Sequence, residues 1–267
     1  MARQKLGQHF LADLRWRNRI LEALPRASND VWIEVGAGHG EMTQHFLNRG
    51  NRLIAIEADP RLAEGLRAMQ AARLAEGAEE WCRLEIITGD VLQQDFARLA
   101  GDRFRVYGNL PYYITSPILR HLFDAADRIA SIHAVMQFEV AARVVARPGG
   151  RSYGFLSALC QFYANPEIVL RIPPGAFRPP PRVTSALVSM TLPGQRATLG
   201  VTDDNRFLDF VGMCFGQKRK TLRNNLRSLA STEQIAKALA ASGLRPDARA
   251  EQLSLPQFAV LFGALGG

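Results

Sequence analysis

Asn109-Leu110-Pro111-Tyr112 closes an apolar run from Phe104 to Gly108, and its residue types suit one task, holding an exocyclic amine. The Asn109 side-chain oxygen and the Leu110 backbone carbonyl are both acceptors, enough for the two protons of a base amino group. Pro111 disfavours the helical region for Leu110, which keeps that backbone extended and aims its carbonyl outward, while Tyr112 offers a flat face for stacking. The same residue types also form ordinary turns. A segment upstream raises them above a turn: in Val31-Trp32-Ile33-Glu34-Val35-Gly36-Ala37-Gly38-His39-Gly40-Glu41-Met42-Thr43 an apolar run breaks into alternating glycines and then a helix-compatible stretch.

Alternating glycines let a backbone turn sharply and approach a ligand with no β-carbon in the way. A dinucleotide fingerprint needs its third glycine where Glu41 stands, so Gly36-x-Gly38-x-Gly40 points instead to S-adenosylmethionine, which has no pyrophosphate to seat on a helix N-terminus. Two acids follow in order. Glu57 ends the next apolar run about 20 residues after the first glycine, where such folds bind a ribose diol. Asp90 follows a third run, Leu84 to Thr88, and is the candidate partner for the cofactor's adenine amine. Either acid alone also reads as a strand end or a helix cap; the four signals in sequence favour a cofactor site.

The elements that must carry these residues are visible as hydrophobic rhythm. Runs beginning near 31, 52, 84 and 104 alternate with helical segments at 14–24, 41–49, 60–76 and 116–124, as in a parallel α/β sheet. Later runs at 131–137, 155–163 and 183–192 are expected to complete the sheet. Leu62, Leu66 and Met69 recur at helical spacing and read as core. Pro193-Gly194 marks the expected boundary between a domain at 1–192 and a helical one at 193–267, the latter turning at Gly243-Leu244-Arg245-Pro246.

At 267 residues and 47% hydrophobic the chain has enough material for one good core and a smaller second one. Its formal charge of +8 points to a polyanionic partner. Lys218, Arg219, Lys220, Arg223 and Arg227 crowd one stretch with no acid among them, the pattern for tracking phosphates. If that stretch is one helix, residues 216, 219, 220, 223 and 227 share a face, and Leu222, Leu226 and Leu229 take another.

Cys82, Cys160 and Cys214 are isolated, and the histidines at 9, 39, 45, 121 and 133 lack H-E-x-x-H spacing or a Ser or Cys elbow. Neither zinc, a disulfide framework nor triad chemistry is indicated. No stretch reaches the roughly 18 apolar residues of a membrane span, and the N-terminus lacks a signal-peptide core. A reducing, cytoplasmic compartment is expected.

Taken together, these motifs resemble the small-subunit ribosomal RNA adenine N6,N6-dimethyltransferase family over nearly the whole chain. Lys5-Leu6-Gly7-Gln8-His9-Phe10-Leu11 is similar to its N-terminal signature, Glu34 to Thr43 to its cofactor loop and Asn109 to Tyr112 to its catalytic motif. Met136 to Ala141, Phe177-Arg178-Pro179-Pro180-Pro181-Arg182-Val183-Thr184-Ser185 and Phe215 to Leu226 resemble further family blocks. His9 stands where some members carry Asn, and His39 where Leu is frequent. The resemblance implies a Rossmann-like domain with a mostly parallel seven-stranded sheet and a small C-terminal helical domain. It further implies S-adenosylmethionine contacts at His9 and Leu11, largely through backbone, and at Gly36, Gly38, Glu57, Asp90 and Asn109. It places the 173–181 loop beside the active site, with Phe177 stacking on a flipped base. The implied substrate is 16S rRNA in the 30S subunit or its precursor, dimethylated at two adjacent adenosines near the 3′ end, with a role in subunit biogenesis. Two alternatives stay open: a large-subunit rRNA adenine methyltransferase of the macrolide-resistance type, and a nucleic-acid-binding assembly factor with incidental methylation.

Overall fold

The structure, a computed structural model, describes residues 9–26 and 30–266; Lys5 to Gln8 of the N-terminal signature lie outside them. In chain order the elements are β1 (Phe10–Leu11), α1 (Leu14–Ala23), β2 (Val31–Val35), α2 (Thr43–Asn48), β3 (Arg52–Glu57), α3 (Pro60–Ala75), β4 (Leu84–Thr88), α4 (Phe96–Ala100), β5 (Phe104–Asn109), α5 (Thr115–Phe123), β6 (Ile129–Gln137), α6 (Phe138–Val144), α7 (Phe155–Tyr163), β7 (Asn165–Ile172), β8 (Phe177–Arg178), β9 (Ser185–Thr191), α8 (Asp204–Cys214), α9 (Leu222–Asn225), α10 (Thr232–Ala241) and α11 (Leu255–Ala264). The chain divides into two compact units, residues 1–141 with 167–192 and residues 142–166 with 193–267. Residues 142–166, which the boundary after Leu192 leaves with the N-terminal domain, thus group with the C-terminal residues.

In the first unit a seven-stranded sheet runs β4-β3-β2-β5-β6-β9-β7. β2 pairs in parallel with both β3 and β5, β3 with β4, and β5 with β6, while β9 runs antiparallel to β6. Val-Trp-Ile-Glu-Val and Arg-Leu-Ile-Ala-Ile-Glu are buried almost end to end, as parallel strands covered on both faces must be. Trp32, Phe46, Leu53, Leu66, Tyr107 and Leu187 belong to the core against the sheet, and Met69 packs on it. Asp13 and Asp59 cap α1 and α3 by accepting from the Arg15 and Arg61 N–H groups, both at 2.9 Å, and Pro60 occupies the first turn of α3.

One expectation for the sheet fails. Residues 155–163 form α7, and the edge strand is β7 instead. Nearly every residue of Phe155–Tyr163 is buried, and a continuous apolar run carries no periodicity to separate buried helix from buried strand. β7 alternates exposed and half-buried positions over Asn-Pro-Glu-Ile-Val-Leu-Arg-Ile, a weaker apolar signal.

The second unit is mostly helical. Phe162, Phe207, Phe210 and Phe262 interlock there at centroid distances of 5.3–5.6 Å. α10 starts with a Ser231–Gln234 capping box, and just past its Ser242 cap Gly243, with φ of 66°, supplies the expected turn.

Candidate active site

β3 and β4 lie to one side of β2, and β5, β6, β9 and β7 to the other. The connection out of β2 and the connection out of β5 therefore diverge, opening a crevice at the carboxyl ends of these two strands. Hydrogen bonds extend the ladders past the strand ends. Gly36 donates to the Ile56 carbonyl at 2.8 Å, Gly89 to the Glu57 carbonyl at 2.9 Å and Leu110 to the Val135 carbonyl at 3.0 Å. These bonds bring the glycine turn, Glu57, the Gly89-Asp90 turn and Asn109–Tyr112 to one rim.

The glycine turn needs its glycines for two separate reasons. Gly36, Gly38 and Gly40 take φ of 73°, 59° and 80°, where a β-carbon is strained. A Cβ on Gly38 would also stand 3.0 Å from the Phe10 ring, and one on Gly40 2.9 Å from Leu66 Cδ1. Glu57 is only 2% exposed. Its carboxylate accepts from the Gly38 and Asp59 N–H groups, both at 2.9 Å, tying the glycine turn to the start of α3. Asp90 accepts from the Leu92 N–H at 3.0 Å and caps a short helical turn, so the capping reading holds; it also lines the cavity beside Glu57.

Two adjoining hollows share Gly36, Glu57 and Pro111. One is a cleft lined by His9, Phe10, Gly38 and residues 109–112. The other is a cavity of about 330 Å³ walled by Ile56, Ala58, Val91, Leu92, Ile114 and Ile118, with Glu57 and Asp90 supplying acid. Apolar walls with a few convergent polar groups are the usual character of a small-molecule site. They fit S-adenosylmethionine, with flat apolar space for adenine, carboxylates for the diol and the amine, and an uncluttered glycine backbone.

Asn109, the last residue of β5, donates its amide N–H to the His9 carbonyl at 2.8 Å. The side-chain oxygen remains as an acceptor in the cleft. The Pro111 carbonyl accepts from Ile114 N–H at 3.2 Å and Thr115 Oγ1 at 3.1 Å, which holds the turn closed. Tyr112 is fixed at its tip, its hydroxyl 2.7 Å from Ser185 Oγ, and the His9 ring stacks on it at 5.6 Å and 29°. Burial raises the Tyr112 phenol's pKa, opposed by the Ser185 bond. The His9 ring also meets the Pro179 carbonyl at 2.7 Å, so residue 9 reaches the site through both its ring and its backbone carbonyl and links it to the 173–181 loop. Leu11 is buried beside the glycine turn.

Phe177 requires correction. β8 pairs antiparallel with β1, setting Leu11 opposite Phe177, and this register sends the Phe177 ring into the core at 0% exposure. It does not line the cleft and offers no face to a base. Several lining residues escaped the sequence reading. Phe10 covers Gly38 from inside the signature, and Tyr113, 61% exposed, stands at the cavity rim as the second member of a tyrosine doublet. Glu34, inside the glycine segment, is buried and held by Thr43 Oγ1 at 2.6 Å.

In the second unit, Lys218, Arg219, Lys220, Arg223 and Arg227 are all exposed and make no ion pair among the described residues. They do not lie on one helix. α8 stops at Cys214, α9 spans only Leu222–Asn225, and turns occupy the rest. Asn225 explains the break, donating to the Cys214 carbonyl at 2.6 Å and the Gln217 carbonyl at 3.2 Å, which satisfies groups a continuing helix would have used. Leu222 and Leu226 are buried as expected, but Leu229 is 44% exposed.

Sheet order, glycine turn and paired acids define an S-adenosylmethionine-dependent methyltransferase of Rossmann-like fold. Two solved structures share this fold: a dimethyladenosine transferase from Plasmodium falciparum has a TM-score of 0.80 at 23% identity, covering 95% of this chain and 96% of that one. The 23S rRNA methyltransferase ErmE has a TM-score of 0.71 at 24% identity, covering 97% and 100%. The family model for ribosomal RNA adenine dimethylase matches residues 1–265, and the chain belongs to that family. A relative from Xanthomonas euvesicatoria pv. vesicatoria (strain 85-10), named ribosomal RNA small subunit methyltransferase A, is 44% identical over 96% of this chain and 94% of its own length. A relative of the same name from Xanthomonas campestris pv. campestris (strain B100) is 42% identical over 96% and 94%.

Proposed function

We propose that this protein transfers methyl groups from S-adenosylmethionine to N6 of two adjacent adenosines in a hairpin near the 3′ end of 16S rRNA, within the 30S subunit or its precursor. The observation that carries the proposal is the fixed orientation of Asn109. With one N–H committed to the His9 carbonyl at 2.8 Å, the amide keeps its oxygen as an acceptor for an incoming amine. The small-subunit names of its relatives favour this substrate over the large-subunit alternative.

Adenine N6 is a poor nucleophile because its lone pair is delocalised into the ring. Asn109 Oδ1 and the Leu110 carbonyl accept its two protons, which favours a pyramidal nitrogen with the lone pair freed. Pro111 keeps the Leu110 carbonyl extended. Tyr112 stacks on the base, which has to be unpaired or flipped to reach the cleft. S-adenosylmethionine supplies a methyl group already activated on a sulfonium. Gly36, Gly38, Glu57 and Asp90 would hold that donor beside the amine seat, a proximity and orientation effect. The methylated nitrogen is acidic enough to lose its proton to solvent, so no general base is needed. A second round gives dimethyladenosine.

In this reading Lys218, Arg219, Lys220, Arg223 and Arg227 track rRNA phosphates from the helical residues 193–267, and the protein works as a metal-free monomer in the cytoplasm with a part in subunit biogenesis. Exposure and the lack of competing acids support the phosphate role. Among the described residues no helix is long and apolar enough to cross a membrane. Incubation with labelled S-adenosylmethionine and unmethylated small subunits, then large subunits, tests the assignment by mapping the label. Label on adenines near the 3′ end of the small-subunit RNA is expected; label confined to large subunits overturns it.

A further inference from the structure

Several arginines of the first unit are spent on partners of their own. Arg49 donates to the Leu21 carbonyl at 2.6 Å, Arg105 to Asp30 at 2.6 Å, and Arg178 to the Gly175 and Phe177 carbonyls at 3.1 and 2.9 Å. Arg171, near the end of β7, is placed differently. Its guanidinium carbon lies over the Phe138 ring, 4.4 Å from the centroid. It makes no hydrogen bond or ion pair among the described residues, so Glu139 and Glu167, the acids closest to the pair in sequence, do not neutralise it. Phe138 is half-buried and Arg171 exposed. A guanidinium stacked on a ring has its charge held in one place while the N–H groups around its edge stay free, so a long side chain is ordered before any ligand arrives.

Phe138 joins this cation to the amine seat. It follows Gln137, the last residue of β6, which stands opposite Ser185 in the ladder with β9. Its own N–H extends that ladder to the Thr184 carbonyl at 2.9 Å. Ser185 is the residue whose hydroxyl meets the Tyr112 phenol at 2.7 Å. The Arg171 guanidinium therefore rests on a ring one residue beyond the rung that fixes Tyr112. Arg19 is stacked on Trp16 at the same 4.4 Å, but that ring belongs to α1 and shares no rung with the seat.

A base that reaches Tyr112 has been turned out of its stack by rotation about the backbone on either side of it. The flanking phosphates then lie at the mouth of the seat, where a fixed planar fork of donors can grip one through two parallel N–H bonds. We infer that Arg171, held by the Phe138 ring, binds the RNA phosphate next to the flipped adenosine. The inference rests on the RNA reading above and adds Arg171 to the residues that position the substrate. Its task differs from that of the cations at 218–227: they track backbone at large, whereas Arg171 fixes the one nucleotide that reacts.

Kinetics of the full-length protein on unmethylated small subunits test this. Arg171→Leu keeps an apolar cover on Phe138 and removes only charge and donors. It is expected to raise KM for the subunits by roughly tenfold, the loss of one charge-assisted pair. The phosphate does not react, so its contact is the same in ground and transition states, and kcat should stay near the wild-type value. S-adenosylhomocysteine affinity by calorimetry should not change. Arg171→Lys, with the charge but without the planar fork, is expected to recover only part of the loss. An unchanged KM in Arg171→Leu, or a fall in kcat and donor affinity together, overturns the contact and leaves Arg171 as a cover for Phe138; full recovery by Arg171→Lys overturns the fork. Hydroxyl-radical cleavage from an iron chelate on Arg171→Cys, with the exposed Cys82 replaced by serine, is expected to cut the rRNA within a few nucleotides of the methylated adenosines, and cuts confined elsewhere overturn the placement. A wild type that leaves small subunits unlabelled removes the RNA reading and the phosphate contact with it.

Discussion

Asn109–Tyr112 and the basic stretch at 218–227 are both short polar segments assigned to the same RNA, but they are held in different ways. Asn109 bonds to the carbonyl of a residue 100 positions away, Leu110 to Val135 and Tyr112 to Ser185. Each group has one place, fixed by strands that are themselves buried. The five cations stand exposed on turns and a single four-residue helix. A methyl transfer requires atoms in line, whereas phosphate attraction tolerates displacement and acts over about a Debye length. Order is concentrated where the chemistry needs geometry and left out where charge suffices.

Substitutions on the two sides should therefore fail differently. The largest effect is expected for Asn109→Ala, which removes an acceptor used in the transition state: turnover should fall by about 10²–10³-fold, with S-adenosylhomocysteine affinity near normal by calorimetry. Retained turnover would sink the assignment. Glu57→Ala should reverse the pattern. It strips the partner from the buried Gly38 N–H as well as from the donor, so donor affinity should fall by roughly 2–3 kcal/mol, and saturating donor should recover much of the rate. Tyr112→Ala should cost ~1–3 kcal/mol in RNA binding through lost stacking; an unchanged RNA affinity would remove the stacking role.

The smallest effects belong to Lys220→Ala and Arg223→Ala. Each should lower the slope of log affinity against log salt by about one and leave donor binding untouched. If both slopes match the wild type, these cations are a solvated face and the comparison loses its second term.

Legibility in the sequence follows the same division. Val, Ile and Leu runs ending in Gly or acid announced β2, β3 and β5 because parallel strands inside a sheet are buried on both faces, and β4 as a mixed run at the sheet edge; the residues at their ends share one rim. Three features went unread, each because a distant contact decides it. Phe155–Tyr163 is helical because it is enclosed on nearly every side. Phe177 turns inward because β1 pairs with β8. The helix ends at Cys214 because Asn225 reaches back to cap it. None of these is a property of a local window.

The bond from Asn109 to the His9 carbonyl has a consequence for control. His9 immediately precedes β1, a strand of only two residues pairing with an equally short β8, and the segment is tied down further by the Ala12 and Asp13 N–H bonds to the Ala176 carbonyl at 2.9 and 3.1 Å. Without the His9 carbonyl the Asn109 amide would lose the contact that orients it. The chemistry at the amine seat and the seating of the N-terminal strand are thus coupled through a single hydrogen bond.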